Sequence, residues 1–401
     1  MTTDSLNDPF WQQARSAMLL DPNVCNLNTG SFGPLPRCVF ERVTEFRKQL
    51  AAEPTDFIVR RLPPLLWQAR EALARYIGGR PERLVFTANV SVAINIVASS
   101  LQLAAPGEIL LTDHEYGAMH WCWERAAIRQ GLTLRTFPLP VMANSPEEIV
   151  RAFAAAMTER TRLLFFSHVL SPTGLVLPAK EICAEARRRG IMTVVDGAHA
   201  PAMIPLNVEE IHADFYCANG HKWLLAPIGT GFLYFLPEAI ERIEPMQVSW
   251  GWHYERKNVD AADEYGSTPR TRALEFEGTR DFCPWLAVPE AIEFQAKLGW
   301  DKIRNRIEEL VQYTRQRLTG LCGLELATPA LPLLHGSMTA FRIADKVKRE
   351  WSELRQEFWQ RGIEIPIVIR PDYLLLRVST HFYNTHEEID RLAAAVEEII
   401  G

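Results

Sequence analysis

Long apolar runs are missing from this chain, and no uninterrupted stretch reaches the roughly 18 residues that a membrane-spanning helix needs. The start, MTTDSLNDPFWQQ, is acidic and polar, with no basic segment followed by an apolar core, so no secretory leader is expected. Basic clusters with interleaved aromatics are also absent, and the formal net charge is -6. That balance argues against nucleic acid or an anionic membrane as the main partner. Cysteine is sparse: seven residues, an odd number without paired spacing, point to free thiols in a reducing, cytoplasmic compartment. His114, His120 and Cys122 lack a second ligand pair at finger-like spacing, so no metal is expected. No internal repeat or low-complexity tract breaks the chain.

What remains is the composition of an ordinary soluble globular enzyme, 47% hydrophobic and 23% charged. A length of 401 residues exceeds the usual single core, so a large and a small domain are expected. Through the middle, short apolar runs alternate with helical patterns. Leu84-Val85-Phe86 precedes an apolar helix beginning near Ser91, Glu108-Ile109-Leu110-Leu111 leads into a Tyr- and Trp-rich segment, and Leu163 to Phe166 leads to Ser167-His168. This alternation predicts an α/β fold, a mostly parallel sheet with helices on both faces. Past Trp285 the pattern becomes α+β. Helices are predicted near 286–298 and 301–318, short strands near 339–343 and 374–378, and an amphipathic helix over 387–400. The expected division is a large domain over 20–285 and a small one over 286–401 completed by 1–19. The stretch Trp250 to Pro269 reads as a long functional loop.

The most informative segment runs from Val194 to Trp223. Asp196 closes the apolar run Ile191 to Val195, a core strand of a parallel sheet, and so falls where such sheets bind ligands. Lys222 follows one helical excursion later, between His221 and Trp223. An acid and a lysine so placed suit pyridoxal phosphate: the lysine bonds to the aldehyde, and the acid keeps the ring nitrogen protonated. Taken alone, an arbitrary Asp and Lys would more often be a helix cap and a solvated cation.

The surrounding motifs change that balance. Asp196-Gly197-Ala198-His199 and Asn219-Gly220-His221-Lys222 resemble the D-x-A-[HQ] and [SN]-x-H-K motifs of class V, the cysteine desulfurase-like branch of fold-type I pyridoxal-phosphate enzymes. The resemblance runs from Asn26 to Thr385 in the family's order, and it is strongest to isopenicillin N epimerase and its relatives. It implies the fold-type I architecture, with a large-domain sheet of the seven-stranded type, and a homodimer with shared active sites.

Residue by residue, the resemblance places the phosphate at Thr87 to Ser91, with Asn89, Val90 and Ser91 at a helix N-terminus that favours anions. Asn89 or Ser91 serving as a plain helix cap is the ordinary alternative. Asn219 and His221 join the phosphate set, although the family more often has Ser at the first of these. Thr279, in Gly278-Thr279-Arg280-Asp281, resembles the residue that reaches the neighbouring subunit's phosphate. Tyr116 aligns without a gap on the ring-stacking histidine of E-H-x-A; His114 takes that place if the alignment moves two positions. His199 resembles the partner of the cofactor's phenolic oxygen. Arg377, in Arg377-Val378-Ser379-Thr380-His381-Phe382-Tyr383-Asn384-Thr385, resembles the bidentate clamp on the substrate α-carboxylate, with Asn28 and Ser31 lining the same pocket.

Such a cofactor weakens every bond at Cα, and the protein selects which one breaks. Desulfurases of this family carry a cysteine about fifteen residues before the carboxylate arginine. Gly362 to Tyr373 here contains none and looks shortened, which disfavours persulfide formation. The expected activity is therefore epimerase-like inversion at Cα of an amino-acid substrate. A C–S lyase, a desulfurase-like enzyme or a class V aminotransferase stays open as the alternative. Lys222 would be the base, and inversion requires a second proton donor, for which Tyr116, His114 and the 250–254 loop are candidates.

Overall fold

Seven strands build the larger sheet of the computed structural model, which describes residues 8–253, 261–344 and 349–401. They are β1 (Leu84–Thr87), β2 (Glu108–Thr112), β3 (Thr133–Phe137), β4 (Thr161–Ser167), β5 (Met192–Asp196), β6 (Phe215–Asn219) and β7 (Gly231–Phe235). Their spatial order is β1-β7-β6-β5-β4-β2-β3, and every pairing is parallel except the two made by β7. The apolar runs are continuous because helices cover both faces. Alternate side chains enter two separate cores. Leu84, Phe86, Leu110, Phe166 and Val195 face one, while Val85, Ile109, Leu111, Phe165 and Val194 face the other. β3 is the exception. It forms the edge, much of it is exposed, and its Arg135 pairs with Glu108 at 3.0 Å.

A second sheet lies toward the C-terminus, with β8 (Glu325–Leu326), β9 (Met338–Arg342), β10 (Ile367–Ile369) and β11 (Leu374–Ser379). Its order is β10-β11-β9-β8, antiparallel throughout. Phe341, Leu376 and Val378 pack there against Leu354, Phe358, Leu392 and Val396 of the helices Trp351–Gln360 and His386–Ile400. The last helix opens with a reciprocal cap between Thr385 and Glu388, which satisfies two otherwise unpaired backbone donors. The helix Pro9–Ser16 sits on this side of the molecule: Ala14, with Met18 just beyond it, packs against Ile303, Ile307 and Phe382. The helix Val288–Leu298 instead sends Val288 and Ala291 into the large-sheet core.

The helices predicted at 286–298, 301–318 and 387–400 occur as Val288–Leu298, Trp300–Leu318 and His386–Ile400. β3, β6 and β7 of the large sheet and the short β8 and β10 have no counterpart in the sequence reading; for the last two, two or three residues are too few to show a period. Of the loop read over 250–269, residues 254–260 lie outside the described residues, and its flanks are short helices at Trp250–His253 and Pro269–Glu275. Residues 1–7 of the expected small domain also lie outside them. No described helix is long and apolar enough to cross a membrane.

Candidate active site

The carboxyl ends of β1, β2, β4, β5 and β6 open onto one cleft of about 860 Å³. Each strand delivers a polar group there. Asp196 ends β5 and Asn219 ends β6. Ser167 ends β4 and lies level with Asp196 across the ladder. The cleft's other wall comes from the N-terminal turn and the second sheet. Ser379 donates its amide to the Leu27 carbonyl at 2.8 Å, and Cys25–Asn26 pairs in parallel with Ile363–Glu364. These contacts bring Asn28 and Ser31 against Arg377.

Lys222 sits in the turn after β6, half-buried on the cleft wall. Burial and the Arg377 charge push its amine down to about 8, although Asp196 pulls the other way. The Trp223 indole donates to His199 Nδ1 at 3.3 Å. A neutral imidazole that accepts at Nδ1 carries its proton on Nε2, which lies 3.1 Å from Lys222 Nζ. Burial keeps this histidine neutral by lowering its pKa well below the ordinary value. Gly33 donates its amide to His221 O at 2.9 Å, and any Cβ on Gly33 would collide with the Lys222 carbonyl. The N-terminal turn can cross the lysine only as glycine.

Asp196 Oδ1 accepts from the Ala198 amide at 2.8 Å. Burial raises this carboxyl to about 6, so it is mostly ionised at neutral pH. Gly197 has no room for a side chain because the Tyr216 ring occupies the place of a Cβ. Tyr216 in turn donates or accepts at His168 Nδ1, 2.8 Å away.

At the anion end, Asn89 caps the helix Val90–Ser100 by accepting from Val92 N at 3.0 Å. Asn219 Oδ1 accepts from Val90 N at 2.9 Å. All three residues read as phosphate ligands, Asn89, Val90 and Ser91, line the cleft, with the Asn89 Oδ1 serving as a cap and the Val90 amide engaged by Asn219. Ser91 remains, one of the residues whose amides a helix start leaves unpaired. His221 stacks on Phe32 with ring centres 6.0 Å apart, and its buried Nδ1 has no partner.

Tyr116 lines the cleft mouth and is 55% exposed. His114 does not line the cleft; its Nδ1 turns to Asp113 at 2.7 Å. Thr279 is exposed and lies outside the cleft of its own chain. Arg377 is 4% exposed, yet among the described residues no carboxylate lies within ion-pair distance. It donates to Ser171 O at 2.7 Å, Ser171 Oγ at 3.0 Å, Asn28 Oδ1 at 3.3 Å and Ser31 Oγ at 3.5 Å. Burial lowers its pKa to about 10, so the charge persists. Its Nε is buried without a partner.

Three groups were missed from the sequence. Trp223 sets the His199 tautomer, and Ser171 aims Arg377. Glu115 lies in the cleft with both oxygens engaged, by Thr112 Oγ at 2.6 Å and by Ser167 Oγ at 2.6 Å and N at 3.0 Å. Burial lifts this acid to about 7. Only Glu115 carried a signal, as the acid of the E-H-x-A match. None of the seven cysteines lines the cleft.

The cleft fits pyridoxal phosphate at three points. Asp196 offers a buried carboxylate, Lys222 an amine that deprotonates near neutrality, and His221 and Ser91 unspent donors near a helix start.

Comparison with known proteins agrees with this chemistry. The model of the family described as aminotransferase class-V matches residues 28–392. Isopenicillin N epimerase of Amycolatopsis lactamdurans is 57% identical over 97% of this chain and 98% of its own length. The Streptomyces clavuligerus protein of that name is 56% identical over 98% of each. The solved structure of the cystine C–S lyase C-DES with cysteine persulfide superposes with a TM-score of 0.82 at 24% identity, over 95% of this chain and 99% of that one. That likeness shows the fold alone. On the family match and its near-complete length, the chain belongs to the aminotransferase class-V family of pyridoxal-phosphate enzymes.

Proposed function

We propose that this enzyme inverts the amino-acid stereocentre of isopenicillin N or a close analogue. One observation carries the reading: Lys222, Asp196 and Arg377 share a cleft that no cysteine lines. Proton movement at Cα is thus provided for, and sulfur transfer through an enzyme thiol is not. The two relatives named as epimerases support the choice of substrate.

When bound, pyridoxal phosphate draws electrons from the substrate's Cα and acidifies its proton. Arg377 grips the α-carboxylate with its paired N–H groups, which fixes the orientation of Cα. Lys222, whose amine burial brings near neutrality, would take the proton from one face. His199 keeps its Nε2 proton beside that amine because Trp223 holds the other nitrogen. Asp196, a buried carboxylate, would hold the proton on the cofactor's ring nitrogen. Inversion needs a proton returned to the other face. Of the candidates named from sequence, Tyr116 lines the cleft, His114 does not, and Tyr254 lies outside the described residues. Tyr116 is therefore assigned both to cover the ring and to supply that proton.

The reading includes a cytoplasmic protein and a homodimer, the latter supported by Thr279, which is exposed and outside its own cleft. It also keeps the two-domain division at 285/286, with the helix Pro9–Ser16 docked on the C-terminal side. The deciding experiment is incubation with isopenicillin N in heavy water. Inverted product carrying α-deuterium supports the proposal. Unchanged substrate, or pyruvate and thiol released from cysteine or cystine instead, defeats it. Sedimentation tests the dimer, and a fully active monomer would contradict it.

A further inference from the structure

Arg377 is not the only guanidinium on the cleft wall. Arg370 and Arg355 line the same cavity at its mouth, beside Glu364, Val368 and Ile369. Arg370 closes the hairpin between β10 and β11, its amide donating to Tyr373 O at 2.8 Å. Arg377 lies four residues beyond Tyr373, the residue opposite Arg370, about 13 Å along the strand at the rise of an antiparallel strand. The two heads are anchored on different loops. Arg377 reaches Ser171, and Arg370 donates to the Asp113 carbonyl at 2.8 Å. They therefore do not converge on one anion.

The charges at this mouth are only partly paired. Arg355 pairs with Glu364 at 3.0 Å, and Glu364 also accepts from Asn28 at 2.8 Å. Asp113 supplies that carbonyl, and its carboxylate, which hydrogen-bonds His114 at 2.7 Å and the Leu139 amide at 3.1 Å, feels the Arg370 charge only beyond ion-pair distance. Among the described residues, no carboxylate lies within ion-pair distance of Arg370, and its Nε is buried without a partner. A half-buried arginine whose hydrogen bond goes to a carbonyl, with its nearest carboxylate beyond ion-pair distance, is a looser version of the arrangement that marks Arg377.

We propose that Arg370, assisted by Arg355, binds a second carboxylate of the substrate. The substrate class is then an amino acid whose side chain ends in another acid group, with the reacting end on Arg377 and the remote acid at the mouth. Planar guanidinium favours this recognition, and a remote charge fixed there orients the Cα end without touching it. The inference deepens the proposed function, since isopenicillin N carries such a second acid, but its test is independent of turnover.

The test uses the cofactor-loaded protein and the unreactive α,ω-dicarboxylates from succinate to suberate, each against the monocarboxylate of equal chain length, by calorimetry. One chain length should bind about tenfold or more tighter than its monocarboxylate. Arg370→Gln, which keeps a donor for the Asp113 carbonyl, should erase that advantage and leave monocarboxylate binding unchanged. Arg370→Lys, which keeps a cation, should retain part of it. Three results would overturn the inference: no diacid advantage in the parent protein, an advantage that survives Arg370→Gln, or equal loss of monoacid and diacid binding in both variants. A failure of isopenicillin N turnover with the diacid result intact would sink the proposed substrate and spare the site.

Discussion

Two arginines of this fold are about equally enclosed and opposite in circumstance. Arg70 is fully buried and ion-paired with Glu275, with Ser267 Oγ at 3.0 Å as a second partner. Glu275 also accepts the Phe86 amide at 2.7 Å, so this pair joins the helix Leu62–Tyr76 to β1 and to the helix Pro269–Glu275. Arg377 has only neutral oxygens around it. They solvate the cation without cancelling it, which leaves a charge for an incoming carboxylate. A buried charge compensated inside the fold is architecture. One left uncompensated beside a cleft marks where a ligand completes the electrostatics.

The largest expected effect comes from Lys222→Ala. It should abolish turnover and the visible absorbance of the bound cofactor while circular dichroism stays unchanged, because Lys222 anchors no part of either core. Borohydride reduction and peptide mapping check the attachment, and a label on another lysine refutes it.

Glu275→Ala tests the architectural side. It strands Arg70 in the interior, so the unfolding free energy should fall by about 3–5 kcal/mol, with kcat of the folded fraction near the parent value. Arg377→Met should show the reverse pattern, with stability held and substrate binding lost. Urea titrations of both variants decide it. Equal destabilisation would erase the distinction between the two arginines.

Asp196→Asn falls between these. The rate should drop about 100- to 1000-fold even at saturating substrate, a usual loss for a preorganised charge. Its stability effect has the opposite sign. Burial lifts Asp196 from 3.8 to about 6, so the folded apo-protein holds this proton more tightly than the unfolded chain. The group costs nothing below about pH 4, and its penalty grows as pH rises toward 6 and is complete above it, about 3 kcal/mol. The asparagine apo-protein should therefore melt at a higher temperature than the parent at pH 7–8, and similarly at pH 4. Arg377→Lys should be milder, raising KM roughly ten- to a hundredfold, about 1.5–3 kcal/mol, because one ammonium replaces a bidentate fork.

The sequence carried one half of this picture better than the other. Asp196, Lys222 and Arg377, read from short motifs of fixed spacing, line one cleft, and four of the large sheet's strands were legible because they are buried on both faces and read as unbroken apolar runs. What escaped depends on distant segments meeting. Ser171 acts on Arg377 from 206 positions away. Trp223 was visible beside the lysine, but its hydrogen bond to His199 exists only once β5 and β6 pair. Asn219 was read toward the phosphate; its further contact, Oδ1 accepting from the Val90 amide, was not legible, because it needs β7 to bring Gly231 beside it and the Asn89 turn against both. β10, three residues long between Pro366 and Pro371, shows no period at all, yet it places Arg370 at the cleft mouth.

The smallest effect is one of pH, and it compares Lys222 with an ordinary surface lysine. Only a neutral amine attacks the cofactor's aldehyde. With its pKa pushed down to about 8, Lys222 is roughly one-tenth neutral at pH 7 and half neutral at pH 8. The rate at which apo-protein captures pyridoxal phosphate should rise nearly tenfold per unit below this point and level off above it. A solvated lysine, with its model value of 10.5, would still be climbing at pH 9. Asp196 is the one named influence that raises the Lys222 value, against burial and Arg377. Removing its charge in Asp196→Asn should move the inflection to lower pH, and removing the opposing cation in Arg377→Met should move it higher. Stopped-flow absorbance across pH 6 to 10 measures all three proteins. Inflections that coincide would mean that burial alone sets this lysine, and that the charges of the cleft do not act on one another.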